Sequence, residues 1–208
     1  MQKQETIQIQ ELDRQEDVGS VNKITLFPTL IYRVKLLNKN QVFEIFTFLK
    51  GKKDKLIKHG TGPLSTHNLG ENILDEIEKL NFCKNIKKNI LDISKKYLDE
   101  TGIIAQNILG HSWFNVQEKN VDLKPHIHPN CILSGALYIN LNKNSSPLTV
   151  NNPNPFMKTL FKNPTTFSFD LFNLDIMNGD LFIFPYYLEH FSNDNKTEDR
   201  TVISFNIN

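Results

Sequence analysis

Lys124-Pro125-His126-Ile127-His128-Pro129-Asn130, followed by the apolar run Cys131-Ile132-Leu133-Ser134-Gly135-Ala136-Leu137-Tyr138, is the stretch on which the reading of this chain turns. Two histidines one residue apart on an extended backbone point the same way, with Cα atoms roughly 6.5–7 Å apart. That spacing suits two ligands on one metal ion. A third candidate, His190, stands just beyond a second apolar run over residues 181–188. Arg200 follows ten residues later at the head of a final β-prone segment.

Strand parity carries the argument outward. If the strand continues in register past Pro129, then Ile132, Ser134, Ala136 and Tyr138 share the face of His126 and His128. Cys131, Leu133, Gly135, Leu137 and Ile139 then form the opposite, core-facing side. The metal-side face is small at Ser134 and Ala136 and ends in a phenol, leaving volume for a ligand and a donor at its far end. On the last strand Arg200, Val202, Ser204 and Asn206 share one face, and Thr201, Ile203, Phe205 and Ile207 the other. An arginine on an inner face is costly to bury unpaired, and a carboxylate of a bound small molecule satisfies it in bidentate geometry.

Composition narrows the setting. The chain has 208 residues, enough for one domain with a real core. Apolar content is 39% and charged content 23%, ordinary for a globular protein, and fifteen Phe against one Trp predict a Phe-rich core. A net charge of +1 supplies no draw toward nucleic acid or an acidic membrane. No segment reaches the ~18 apolar residues of a membrane span. Cys83 and Cys131 lie in apolar contexts and read as buried free thiols, as expected in the cytoplasm.

Residues 1–20 are Gln/Glu-rich with little hydrophobic pattern and read as a flexible tail, leaving 21–208 as one domain. Residues 24–37 read as a strand interrupted at Pro28. Asn40 is read as the cap of a helix that buries Val42, Phe43, Ile45, Phe46 and Leu49 and stops at Gly51. The basic run over 50–58 reads as solvated surface. Two helical patterns follow, through Ile73, Leu74, Ile77 and Leu80 and through Ile86, Ile90, Ile93 and Tyr97, the second closed by Gly102. Strand signals then cover 103–109, 111–117, 132–141, 147–150, 165–172, 181–184 and 201–207, with a Pro/Asn-rich loop over 151–163 suited to a substrate lid. Helices first and about eight short strands after predict an α+β fold, an antiparallel sandwich or small barrel backed by helices. His111 and Trp113 read as structural, His59 and His67 as loop residues, and Tyr186 and Tyr187 as packing residues before His190.

Four ordered pieces resemble the 2-oxoglutarate and iron(II)-dependent oxygenases. They are Leu26-Phe27-Pro28-Thr29; Ser112-Trp113-Phe114-Asn115; His126-Ile127-His128-Pro129-Asn130 with Ser134-Gly135-Ala136-Leu137-Tyr138; and Gly179-Asp180-Leu181-Phe182-Ile183-Phe184-Pro185 leading to His190, Arg200 and Ser204-Phe205-Asn206. The likeness is to the prolyl-hydroxylase-like branch, and within it to a group of oxygenases from marine bacteria and phages. It spans about residues 24–208. It implies a double-stranded β-helix (jelly-roll) with N-terminal helices against the major sheet. It implies Fe(II), 2-oxoglutarate and O2 as cofactor and co-substrates, with His126 and His190 as iron ligands. Arg200 would bind the distal carboxylate of 2-oxoglutarate, with Tyr138, Asn115 and Ser204 at the co-substrate. The implied partner is a peptide or small-molecule substrate, not nucleic acid or membrane. A monomer or homodimer in the cytoplasm is expected, a host's cytoplasm if the chain is phage-encoded.

One position departs from the family pattern. Most of these enzymes place a carboxylate two residues after the first histidine, and here that residue is His128. Three readings stand open: His128 as third ligand; another carboxylate such as Asp122 or Glu189; or water, a halide or nothing at that position. Two rival functions follow from the same residues, a three-histidine zinc enzyme and a non-catalytic jelly-roll binding module.

Overall fold

The computed structural model describes residues 29–58, 61–154 and 169–208. The predicted tail over 1–20, the Leu26-Phe27-Pro28 part of the first family motif, His59 and most of the predicted lid over 151–163 lie outside the described residues.

The chain opens with β1 (Tyr32–Lys35) and α1 (Lys39–Lys50). The cap of α1 is Asn38, two residues before the predicted Asn40. The Asn38 side chain accepts from the Gln41 amide at 3.1 Å, and the Gln41 side chain accepts from the Asn38 amide at 3.0 Å. This reciprocal box satisfies two donors of the first turn, which Asn40 inside the helix has no means to do. Two short strands follow, β2 (Ile57–Lys58) and β3 (Leu64–Ser65), then α2 (Ile73–Ile77) and α3 (Ile86–Thr101). Gly102, at φ 69°, closes α3 in the left-handed conformation, as its position predicts.

The remaining strands are β4 (Leu109–Gln117), β5 (Leu123–His126), β6 (Leu133–Asn140), β7 (Leu148–Asn151), β8 (Leu171–Leu174), β9 (Asp180–Pro185), β10 (His190–Ser192) and β11 (Arg200–Ile207). Residues 103–108 are irregular, so the two strands expected over 103–117 are one. The strands form a seven-stranded sheet in the order β1-β9-β6-β11-β4-β3-β2 and a four-stranded sheet in the order β5-β10-β7-β8. Every pairing is antiparallel. The two facing sheets with helices behind the larger one are a double-stranded β-helix, as the resemblance implies.

Alternation along the central strands divides the interior in two. Leu133, Leu137, Leu181, Ile183, Ile203, Phe205 and Ile207 pack with Ile45, Leu49, Leu74, Ile77 and Ile90 of the helices. Their neighbours of opposite parity, Ala136, Tyr138, Phe182, Phe184 and Val202, face the small sheet with Leu148 and Val150. The hydrophobic helix stripes and the period-2 strands are therefore two sides of one core.

His126 and Tyr138 do not lie on a single strand: β5 belongs to the small sheet and β6 to the large one. The chain crosses between them over residues 127–132, with Asn130 at φ 78°. Asparagine tolerates that conformation better than most residues, which lets the chain turn there. Ile132 accordingly packs on the helix side rather than the ligand side. From Leu133 onward the predicted faces hold, and the two sheets bring both sets of residues to one interior.

Gly135 has a steric reason to be glycine. An added Cβ would lie 2.1 Å from the Phe205 ring, which covers it from the neighbouring strand. Gly135→Ala is expected to lower unfolding free energy by about 1–3 kcal/mol through overpacking, measured by chemical denaturation. Its core face points away from the site, so metal affinity should change little.

Candidate active site

His126 ends β5 and His190 begins β10, and these residues are direct partners across the antiparallel pair. Their rings lie 4.3 Å apart between centroids. The register shifts within this pair: Leu123 opposes Ser192 while His126 opposes His190. The extra residue on β5 is a bulge, and it lets Leu123 and His126 face the same cavity although they are three apart. His128 follows on the crossing segment, its ring 5.2 Å from that of His126 and 5.0 Å from that of His190. One ligand atom from each of the three lies within 4.8 Å of the others.

Each imidazole is held by the nitrogen that faces away from this meeting point. Nδ1 of His126 donates to the Lys124 carbonyl at 2.9 Å, Nδ1 of His190 to the Leu188 carbonyl at 2.8 Å, and Nδ1 of His128 to Asn206 Oδ1 at 2.9 Å. With Nδ1 committed as donor, the lone pair sits on Nε2 in all three. Burial lowers the pKa of each: His128 falls to about 4 and His190 to about 3, with His126 lowered as well. The three are neutral at physiological pH, the form that binds a metal ion. Oriented ligands with outer hydrogen-bond partners are the arrangement expected of a first-row metal centre.

No carboxylate joins the cluster among the described residues. Of the two carboxylates considered as substitutes, Asp122 pairs with Lys124 at 2.6 Å, and Glu189 takes the Asn151 side-chain amide.

The histidines stand between two spaces. An inner cavity of about 90 Å³ lies between the sheets and is lined by all three histidines, Tyr138, Arg200 and Ser204. An open cleft of about 870 Å³ reaches His126 and His128 from outside, past Trp113 and Pro63. Tyr138 and Arg200 line only the inner space, so they sit deeper than the cluster.

Arg200 is 5% exposed and, among the described residues, has no carboxylate partner. Its Nε donates to the Ser146 carbonyl at 2.8 Å and its Nη1 to Gln117 Oε1 at 3.0 Å. The guanidinium lies 5.4 Å from the centre of the Tyr138 ring. Burial raises the Tyr138 hydroxyl to about 12, so it remains a donor. Asn115 donates to Ser204 Oγ at 3.2 Å on the cavity face of the large sheet. Ser146 Oγ is buried without a hydrogen-bond partner, alone in this among the side-chain atoms of the described residues. A buried cation that lines the cavity and has neutral partners only fits an anionic ligand.

The structure thus brings together His126, His128, His190, Arg200, Tyr138, Asn115 and Ser204, all of them expected from the sequence. Trp113, read as structural, is buried and lies on the cavity side of β4, with its ring 5.6 Å from His128. His111 is stacked on Trp113 and bonded to the His67 carbonyl at 2.9 Å, and it lines the outer cleft. Tyr186 and Tyr187, expected to pack, are 39% and 49% exposed. The sequence reading passed over Gln117 and Ser146, and it gave Asn206 no role. Gln117 was within reach, since it shares strand parity with Trp113 and Asn115. The Ser146 contact uses a main-chain atom, which leaves no signature in residue identity.

Facing sheets with helices behind the larger make a double-stranded β-helix, and its interior carries three converging imidazoles above a buried arginine. Residues 111–206 match the model of the family described as "Putative 2OG-Fe(II) oxygenase". That match covers a little under half of the chain, and over it the chain is similar to the 2-oxoglutarate/Fe(II)-dependent oxygenases, with three histidines so placed that they could hold a metal ion. Among solved structures, a Pseudomonas putida prolyl-4-hydroxylase aligns with a TM-score of 0.58 at 9% identity, over 86% of this chain and 92% of that one. The 2-oxoglutarate-dependent epimerase SnoN of nogalamycin biosynthesis gives 0.59 at 13% identity, over 85% and 77%. HygX from Streptomyces hygroscopicus, with nickel and 2-oxoglutarate bound, gives 0.52 at 11%, over 85% and 81%. At these identities the likeness is one of fold. No curated protein matches the chain by sequence.

Two outcomes are expected. Asn206→Ala frees the His128 ring and should weaken metal affinity about tenfold or more, read by anaerobic titration with Fe(II) or Co(II). Unfolded imidazoles titrate near pH 6.5, above the lowered folded values. The unfolded chain therefore takes up more protons as pH falls through that window. Stability of the metal-free protein should be full above about pH 6.5 and decline toward pH 4, read from denaturation midpoints.

Proposed function

We propose that His126, His128 and His190 together hold iron(II), and that Arg200 receives the distal carboxylate of 2-oxoglutarate. The observation that carries this reading is the pairing of three oriented, neutral imidazoles with a deeper, buried guanidinium that has only neutral partners. When bound, iron(II) supplies the oxidative decarboxylation of 2-oxoglutarate by O2, giving succinate and CO2 and one oxygen atom for the substrate.

The chain's own residues do the positioning. Arg200 fixes the co-substrate's far end, and its rigid fork selects a carboxylate there over a neutral chain. Tyr138 offers its hydroxyl beside the guanidinium, while Asn115 and Ser204 form the adjacent polar wall. The two apolar layers on either side keep bulk water from the inner cavity, which strengthens the charge pairing within it. The substrate enters by the outer cleft, which meets the cluster at His126 and His128. We assign the reaction as hydroxylation of a C–H bond in a peptide or small molecule, in keeping with the prolyl-4-hydroxylase among the structural relatives. Residues 21–208 act as one catalytic domain, and the two buried free thiols suit a reducing cytoplasm. Among the described residues no helix is long and apolar enough to cross a membrane.

The test is succinate release requiring iron, O2 and 2-oxoglutarate together. Release without 2-oxoglutarate, or with zinc in place of iron, would remove the assignment. Arg200→Ala should weaken 2-oxoglutarate binding by about two orders of magnitude, the scale for losing a desolvated charge pair, with folding retained by circular dichroism. His128→Asp should retain stoichiometric iron; loss of iron in that variant would take His128 out of the ligand set.

A further inference from the structure

We infer that Gln117 is the positioning residue of the anion pocket: it holds Arg200 through a neutral oxygen, so the arginine's charge stays available to the co-substrate. The inference rests on the reading of Arg200 given above and goes further, to how the cation is kept both fixed and unneutralised.

The geometry around Gln117 leaves its amide one orientation. Its Nε2 donates to the Val121 carbonyl at 2.7 Å and to the Asn193 carbonyl at 3.1 Å. Both amide hydrogens are thereby used, and Oε1 must face the other way. There it accepts from Arg200 Nη1 at 3.0 Å and from the Ser192 hydroxyl at 3.0 Å. Arg200 and Gln117 are also direct partners across β11 and β4, so the two backbones are fixed beside each other.

The second acceptor, the Ser146 carbonyl, is tied into the same frame. Asn195, fully buried, accepts from the Ser146 amide at 3.2 Å and donates to the Gln117 carbonyl at 2.9 Å. One asparagine thus sets the distance between the two groups that grip the guanidinium. Every oxygen in this frame belongs to an amide or a hydroxyl. A carboxylate at position 117 would match the shape and make a stronger bond to Arg200, since ionised hydrogen bonds are roughly twice as strong as neutral ones. It would also cancel the charge on which a dianionic ligand depends. Glutamine gives the same reach without the charge, and that separates its role from simple scaffolding.

The test compares two ligands that differ only at the far end. Anaerobic titrations with Mn(II) present would measure binding of 2-oxoglutarate and of 2-oxovalerate, which has the same chain length without the distal carboxylate. The full chain should prefer 2-oxoglutarate strongly. Gln117→Glu should reduce that preference at least tenfold while Mn(II) affinity stays near that of the parent. Gln117→Leu, which adds no charge but frees Nη1, should lose preference to a smaller extent. Unchanged preference in Gln117→Glu overturns the inference and leaves the Arg200 reading intact. No preference in the parent chain overturns the Arg200 reading itself, and the inference falls with it. Loss of folding in both variants also overturns it, because Gln117 would then be scaffold only.

Discussion

The pairing of β5 with β10 sets His126 against His190, and the convergence of the three imidazoles depends on that register. Residues directly opposite in an antiparallel pair stand ~4.5–5.5 Å apart at Cα, so two imidazoles there meet without long or flexible reach. A slip of one residue would send one of them to the other face. The register has support from both sides, because β10 also pairs with β7, His190 against Val150 and Phe191 against Thr149. The bulge in β5 then adds what regular pairing forbids, two cavity-facing residues at odd spacing. His128 is supplied by the crossing segment, whose amide donates to the Tyr186 carbonyl at 3.2 Å.

Charge in the interior is arranged as simply as the geometry. The histidines are neutral, the described carboxylates nearest in sequence are tied elsewhere, and Arg200, the one deep cation among the described residues, is surrounded by amide and hydroxyl oxygens. A carboxylate among the ligands would lower the charge of a loaded centre by one, and none joins the cluster among the described residues. With three imidazoles that compensation must come from what binds, not from the chain. With an ion on the imidazoles, an anionic chelator would be favoured electrostatically at both ends of the cavity.

Much of this was legible in the residues. Side-chain alternation over residues 133–139 and 200–207 names the two faces correctly, because half-buried strands must sort their residues by parity. Helix α3 was readable from its apolar spacing and its closing glycine. The histidine set and Arg200 could be chosen because few other residue types do such work in such order. What could not be read were features owed to contacts distant in sequence. The switch of sheets after His128 follows from tertiary packing and has only Asn130 as a local mark. The cap of α1 was misplaced by two residues because Asn38 and Asn40 are equally good candidates until Gln41 is seen folding back. The layer of Trp113 was not readable from its type, because a large apolar ring suits either a core or a cavity wall, and parity with Asn115 was the better guide.

The crossing between sheets has a mechanical meaning as well. His126 and His190 belong to the small sheet, while His128 is bonded through Asn206 to β11 of the large one. Any ion bonded to all three joins both layers at the mouth of the barrel. An ion there would clasp the two halves of the sandwich at the rim of the outer cleft, and the stiffness of that rim would become a property of the ligand rather than of the polypeptide.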